Sequence, residues 1–292
     1  MRQILFFLSL CWIAAILPSA AQPSRTFTHE VLHSEILNRD IAYTVYLPAD
    51  YDSSDREYRI MYLLHGYGGD ESNWLYYGEM DQTADRLIEN NEIHPTIIVC
   101  PNADNGWYIN RADGSDNFED MFIQEFIPHI EKKYKVRAEK NFRSIGGLSM
   151  GGYGSLLYAL KHPDLFSVCV AMSAGVMTDQ ELLDRINGKS GNSYGMMELY
   201  GCTKKRLSDH WYANSVLELV KNMPENQRKQ VKFYIDCGDD DFLYRGNSEL
   251  HMLMREKGIT HEYRVRDGAH NWTYWRSALE AGLKYISQVQ RY

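Results

Sequence analysis

The chain has 292 residues, a formal net charge of −8, 44% hydrophobic residues and 24% charged residues. That suits one large domain or two small ones with an ordinary buried core, and excludes a disordered, repetitive or low-complexity chain. The acidic balance and the lack of a basic cluster argue against nucleic acid and against an anionic membrane surface as partners.

Residues 1–21 stand apart. Arg2 precedes an apolar run from Ile4 to Leu17, about the length of the hydrophobic region of an export signal. Ser19 and Ala21 occupy the −3 and −1 positions for cleavage before Gln22. A membrane anchor is the alternative; the shortness of the run and the small residues that follow it count against this. Cys11 follows Leu10 and not a small residue, which disfavours a lipoprotein site. Residues 1–21 are therefore expected to be a signal peptide of an exported protein, periplasmic or secreted, without stable membrane insertion. Residues 22–292 are expected to form a single domain.

After the leader, residues 26–37 and 39–47 read as two strands of an antiparallel hairpin, with Ile41, Tyr43, Val45 and Leu47 on one face. Residues 48–58 form a polar loop. Residues 59–64 are a continuous apolar run, the mark of a strand buried on both faces, and end in His65-Gly66-Tyr67-Gly68-Gly69. Residues 74–91 have helical spacing, 96–100 form another buried strand, and 102–117 are a polar loop that carries Trp107 and Tyr108. A helix over 118–134 should be kinked by Pro128. A strand over 141–148 runs into Gly147-Leu148-Ser149-Met150-Gly151, and a helix follows to His162. Residues 166–172 form a strand. Residues 176–211 are polar and contain glycines, a connection long enough to be a lid-like or binding insertion. Helices over 214–222, 245–257 and 271–290 alternate with strands over 231–236 and 261–266. A hairpin followed by alternating strands and helices predicts an α/β fold, with a mostly parallel sheet and helices on both faces.

Gly147-x-Ser149-x-Gly151 lies between a strand and a helix, where a sharp turn would lift the serine hydroxyl clear of the sheet. Serine chemistry also needs a base and an acid. Asp239, Asp240 and Asp241 follow one later strand, and His270 follows the next. All three clusters fall at the C-terminal ends of strands, the edge where open α/β sheets place their sites. Ser149 is the expected nucleophile and His270 the expected base; spacing does not choose among the three aspartates. The backbone N–H groups of Met150 and Tyr67 are the expected oxyanion donors. Trp107, Tyr108, Trp211 and Trp272, together with Tyr67, are candidates to stack on a sugar or a phenolic acyl group, although any one of them could be an ordinary core aromatic. Cys100, Cys169 and Cys237 sit in or at the end of expected strands and should be buried free thiols. No zinc spacing and no nucleotide or flavin motif occurs, so neither metal nor cofactor is expected.

Four stretches together resemble the esterase D-like group of α/β-hydrolases: residues 63–69, residues 147–152, Gly238-x-x-Asp241, and Gly268-x-His270-x-x-x-x-Trp275. That group includes feruloyl and acetyl xylan esterases, tributyrin-type esterases, S-formylglutathione hydrolases, siderophore esterases and mycolyltransferases. The likeness runs from about Arg39 to the C-terminus. It implies the α/β-hydrolase fold and a serine esterase that forms an acyl-enzyme. It also implies Asp241 as the acid, since the group's aspartate is third after the glycine and precedes an apolar residue. Export argues against S-formylglutathione as substrate. Together with the family, it suggests feruloyl or acetyl esters of plant polysaccharides or their oligosaccharides. An acyltransferase, a general short-chain carboxylesterase, a peptidase and a non-catalytic binding protein are the other readings. Asn271-Trp272-Thr273, a glycosylation sequon beside the expected base, should be unmodified.

Overall fold

A computed structural model describes residues 23–188 and 193–290. The expected signal peptide lies outside the described residues. The chain begins with the hairpin β1 (Arg25–Ser34) and β2 (Arg39–Leu47), then β3 (Arg59–Leu64), α1 (Asn73–Tyr76), α2 (Met80–Glu89) and β4 (Thr96–Pro101). After a loop come α3 (Phe118–Met121), a π-helical turn (Phe122–Phe126) and α4 (Ile127–Lys133). Next are β5 (Arg143–Leu148), α5 (Met150–Lys161) and β6 (Val168–Met172). Four short helices follow: α6 (Asp179–Asn187), α7 (Met196–Tyr200), α8 (Asp209–Asn214) and α9 (Val216–Lys221). The chain closes with β7 (Lys232–Gly238), α10 (Tyr244–Glu256), β8 (His261–Arg266) and α11 (Trp272–Val289).

The eight strands form one sheet in the order β1-β2-β4-β3-β5-β6-β7-β8. β1 and β2 pair antiparallel, as do β2 and β4; all later pairs are parallel. Parallel neighbours need crossovers, and the helices that supply them cover both faces. One core cluster packs Tyr62, Phe122, Phe126 and Tyr158 under α5; the other packs Trp74, Leu148, Trp275 and Leu279 under α2 and α11. The apolar runs expected to be buried strands are buried throughout, β4 and β5 completely so.

Several elements depart from their expected bounds. β1 ends at Ser34, because Glu125 reaches in from the π-turn and accepts the Glu35 and Ile36 N–H groups and the Ser34 hydroxyl. Residues 74–91 form two helices, broken where Glu79 takes φ 52°. The Trp74 indole is buried there and donates to Leu64 O at 2.9 Å, which holds the first helix against β3. Pro128 lacks an N–H and its ring would strike the carbonyl one turn back. The preceding turn widens instead, with the Ile127 N–H reaching Phe122 O. Residues 176–211, a segment expected to hold short helical pieces at best, carry α6, α7 and the start of α8. α6 opens on a reciprocal cap in which Thr178 Oγ1 accepts from the Glu181 N–H at 3.2 Å and Glu181 accepts from the Thr178 N–H at 2.9 Å. Cys100, Cys169, Cys202 and Cys237 are all buried free thiols. No helix among the described residues is long and apolar enough to cross a membrane.

Candidate active site

β5 delivers Ser149 to the C-terminal edge of the sheet. Ser149 holds φ 54°, ψ −116°, a strained conformation fixed by the bonds around it. Its N–H donates to Met172 O at 2.9 Å, and its carbonyl accepts from Gly175 at 2.8 Å and Tyr153 at 3.0 Å. The strand and helix of the turn all but touch. A methyl group on Gly147 would lie 2.6 Å from the Gly151 carbonyl carbon and 2.7 Å from Leu64 O. Both positions therefore need glycine for close approach.

His270 Nε2 lies 3.0 Å from Ser149 Oγ, and His270 Nδ1 lies 2.9 Å from Asp241 Oδ2. With the proton on Nδ1 donated to the carboxylate, Nε2 is left to accept the serine hydroxyl. Asp241 is 1% exposed, and its other oxygen accepts the Leu243 N–H at 2.8 Å. Burial works against its charge. Hydrogen bonds from His270, the Leu243 N–H and Ser173 outweigh that and hold the carboxyl below its ordinary range. Of the three adjacent aspartates, Asp241 is the one that meets His270. Asp239 instead accepts the Gly268 N–H at 3.0 Å and braces the loop that carries the histidine, while Asp240 is exposed. The imidazole sits between Phe242, at 4.5 Å, and Trp275, edge-on at 4.8 Å. Asn271 caps α11, its side-chain oxygen accepting the Tyr274 N–H at 3.1 Å.

The loop after β3 is held from within. His65 is fully buried, and its Nε2 accepts the Ala103 N–H at 3.0 Å. The remaining proton is therefore on Nδ1, which donates to Gly66 O at 2.8 Å. Burial lowers the affinity of this imidazole for a second proton. His65 O accepts the Tyr108 hydroxyl at 3.0 Å, and the Gly68 N–H donates to Asn105 Oδ1 at 2.6 Å. Two donors near Ser149, the Tyr67 and Met150 N–H groups, have no acceptor among the described residues. The arrangement offers a serine oxygen, a base oriented to take its proton, and two backbone donors for an anion that forms beside them.

Two recesses flank Ser149. One, of about 210 Å³, is walled by Tyr67, Trp107, Met177, Tyr194 and Phe242, with Arg185 at its lining. The other, of about 300 Å³, is lined by residues 66–69, Asn73, Trp272 and Trp275. Trp107 and Trp272 thus stand where a substrate could meet them. Tyr108 and Trp211 do not, which corrects the sequence reading. Tyr108 is wholly buried, its hydroxyl spent on His65 O and its ring edge-on to Phe118 at 5.7 Å. Trp211 is 1% exposed; it donates to Asp179 Oδ1 at 2.8 Å and packs edge-on against Tyr200 at 5.0 Å, tying α8 to α6 and α7. Met177, Arg185, Tyr194 and Phe242 escaped the sequence reading. Phe242 could have been found as the neighbour of Asp241. The others lie in a segment without a motif.

The profile of the family described as Putative esterase matches residues 34–286. An acetyl esterase of Caldicellulosiruptor saccharolyticus is 24% identical over 271 residues, 88% of this chain and 96% of that protein. The endo-1,4-beta-xylanase/feruloyl esterase of Xylanibacter ruminicola is 29% identical over 196 residues, 61% of this chain and 27% of that longer protein. Among solved structures, a ferulic acid esterase superposes with TM-score 0.80 at 34% identity, over 92% of this chain and 99% of its own. FphF of Staphylococcus aureus, a fluorophosphonate-binding serine hydrolase, superposes with TM-score 0.76 at 24% identity, over 91% of this chain and 99% of its own, and has the same fold. The chain belongs to this esterase family, in its esterase D-like group, and is a carboxylic ester hydrolase with the α/β-hydrolase fold.

Proposed function

We propose that the enzyme works through Ser149, His270 and Asp241, and that its substrates are feruloyl or acetyl esters carried by plant polysaccharides or their oligosaccharides. The observation that carries the catalytic reading is the unbroken line Asp241–His270–Ser149 on a strained turn, beside two N–H groups without an acceptor among the described residues. His270 Nε2 takes the hydroxyl proton as Ser149 Oγ attacks the ester carbonyl. The carbonyl oxygen, now negative, is held by the Tyr67 and Met150 N–H groups. His270 returns the proton to the departing alcohol oxygen, which leaves an acyl-serine. Water repeats the cycle and frees the acid. Asp241 keeps the imidazole in the productive tautomer and balances its charge after proton transfer.

For the substrate, the aromatic recess suits a flat phenolic acyl group, and the 34% identical structure is named for ferulic acid. The acetyl esterase, aligned over nearly its whole length, favours an acetyl group as the second reading. An exported enzyme would meet such polymers outside the cell. Mature protein from the native host should then begin at Gln22, and an intact Met1 would remove that argument. The activity test is hydrolysis of methyl ferulate and p-nitrophenyl acetate by wild type and Ser149→Ala. Efficient cleavage of ferulate, lost in Ser149→Ala, supports the polysaccharide-ester reading. Cleavage of acetate alone moves the assignment to acetylated sugars or a general short-chain carboxylesterase. Adding a sugar acceptor and looking for transferred acyl product separates hydrolase from acyltransferase.

A further inference from the structure

In a chain of net charge −8, the recess of aromatic walls beside Ser149 contains, among the described residues, one permanently charged side chain, and it is a cation. That residue is Arg185. Its helix is firmly seated: α6 begins at the Thr178–Glu181 cap and buries Leu182 and Ile186 in the core. Arg185, one position before Ile186, is half-buried, with its guanidinium carbon 5.5 Å from the centre of the Tyr194 ring. Tyr194 in turn packs edge-on against Tyr67 at 4.7 Å, so the cation belongs to the same wall as the oxyanion loop. A guanidinium lying on a ring presents its N–H donors in its own plane, at its edge.

We propose that Arg185 is a specificity-determining residue, which donates a hydrogen bond to an acceptor oxygen at the far end of the acyl group, namely the phenolic oxygen of a hydroxycinnamoyl ester. This rests on the reading, proposed above, that the aromatic recess receives the acyl group. The walls fit an arene, and within apolar walls a charge-assisted hydrogen bond is stronger than in water. A hydrocarbon ring of the same size offers the guanidinium no acceptor, so the residue favours hydroxylated over unsubstituted acyl groups. An acetyl group has no such oxygen, so its hydrolysis should depend on Arg185 less than that of a hydroxycinnamoyl ester. The proposal needs only the donors turned toward the cavity, whatever else the guanidinium touches.

The test compares methyl p-coumarate with methyl 4-methylcinnamate, in which a methyl group of similar size replaces the hydroxyl. p-Nitrophenyl acetate serves as reference, and the enzymes are wild type, Arg185→Leu and Arg185→Lys. Wild type should prefer the coumarate by about tenfold or more in kcat/KM, the ordinary worth of a hydrogen bond to a charged group. Arg185→Leu should bring the two cinnamates within about twofold of each other, chiefly by raising KM for the coumarate. Arg185→Lys should restore part of the preference. Equal turnover of the two cinnamates by wild type, or a preference that survives in Arg185→Leu, overturns the proposal and leaves the esterase reading intact. Cleavage of acetate through Ser149 with no turnover of either cinnamate removes the phenolic-acyl reading and this proposal with it.

Discussion

Replacing Gly151 with alanine tests whether the serine turn depends on backbone contact. A methyl group there would lie 2.6 Å from His65 O and closer still to Leu64 O, where real contacts stay beyond 3 Å. Neither carbonyl is free to retreat: Leu64 O holds the Trp74 indole and His65 O holds the Tyr108 hydroxyl. The loop that carries the Tyr67 N–H must shift by a sizeable fraction of an ångström. Misplacing a preorganised donor on that scale costs about 10²-fold in kcat. Overpacking costs about 1–3 kcal/mol of stability, a fall in melting temperature of roughly 3–10 °C. Helix propensity alone would favour alanine by about 1 kcal/mol, so the sign of the stability change is itself informative. The assay is p-nitrophenyl acetate kinetics with a thermal melt. The control is Gly114→Ala, where φ is +72° but nothing lies within 4 Å, and where kcat should hold while stability falls by about 1 kcal/mol. A folded Gly151→Ala enzyme with kcat within threefold of wild type would refute the argument.

Asp241→Asn should lower kcat by about 10⁴-fold by favouring the wrong imidazole tautomer, whereas Asp240→Asn should leave it unchanged; a comparable loss in both would move the acid elsewhere. Covalent labelling by an organophosphonate should be abolished by Ser149→Ala and retained by Ser173→Ala, as mass spectrometry of the intact protein would show. Glu119 is buried, which alone would raise its pKa. Its hydrogen bonds with His162 and Lys161, at 3.0 and 2.6 Å, outweigh this and lower it. A depressed carboxyl stabilises the fold above its unfolded pKa and loses that contribution as pH falls through the folded value. The difference in unfolding free energy between wild type and Glu119→Gln should therefore be widest near neutrality, about 1.5–3 kcal/mol, and should shrink below about pH 4; a constant gap across pH would contradict the linkage. Burial pushes the Cys237 thiol up to about 12, and the Cys100 and Cys169 thiols up as well. A thiol reagent at pH 8 should find nothing in the native enzyme beyond the leader and four cysteines after unfolding.

What could be read before the structure was chemistry bound to local pattern. Strands of continuous apolar residues, the glycine-flanked Ser149, and aspartate and histidine at successive strand ends each announce themselves within a few residues. What could not be read depended on distant partners. Trp107 and Tyr108 are neighbours in one polar loop and look alike in sequence. Both take positive φ, near 56° and 60°, a reversal that turns one ring to the recess and sends the other in against Phe118 of α3 and Gly154 of α5. Trp211 is withdrawn from solvent by Asp179, some thirty residues earlier, and no local signal marks that bond. The early end of β1 is set by Glu125, about ninety residues away. Arg185 sits at ordinary helical spacing in α6 and gains significance only when the fold brings it onto Tyr194, in the wall of the recess that Ser149 also lines.

The single imidazole of His65 joins two loops that serve different purposes. One end grips Gly66, next to the donor that would receive the oxyanion; the other grips Ala103, four residues before Trp107 in the wall of the recess. Rate and selectivity are thereby mechanically linked. A substitution that reshapes the residue 102–107 segment to admit another acyl group will pull on Nε2 and detune the donor. The enzyme's substrate range should therefore evolve more readily through Met177 and Phe242, which line the same recess and belong to neither clamped loop.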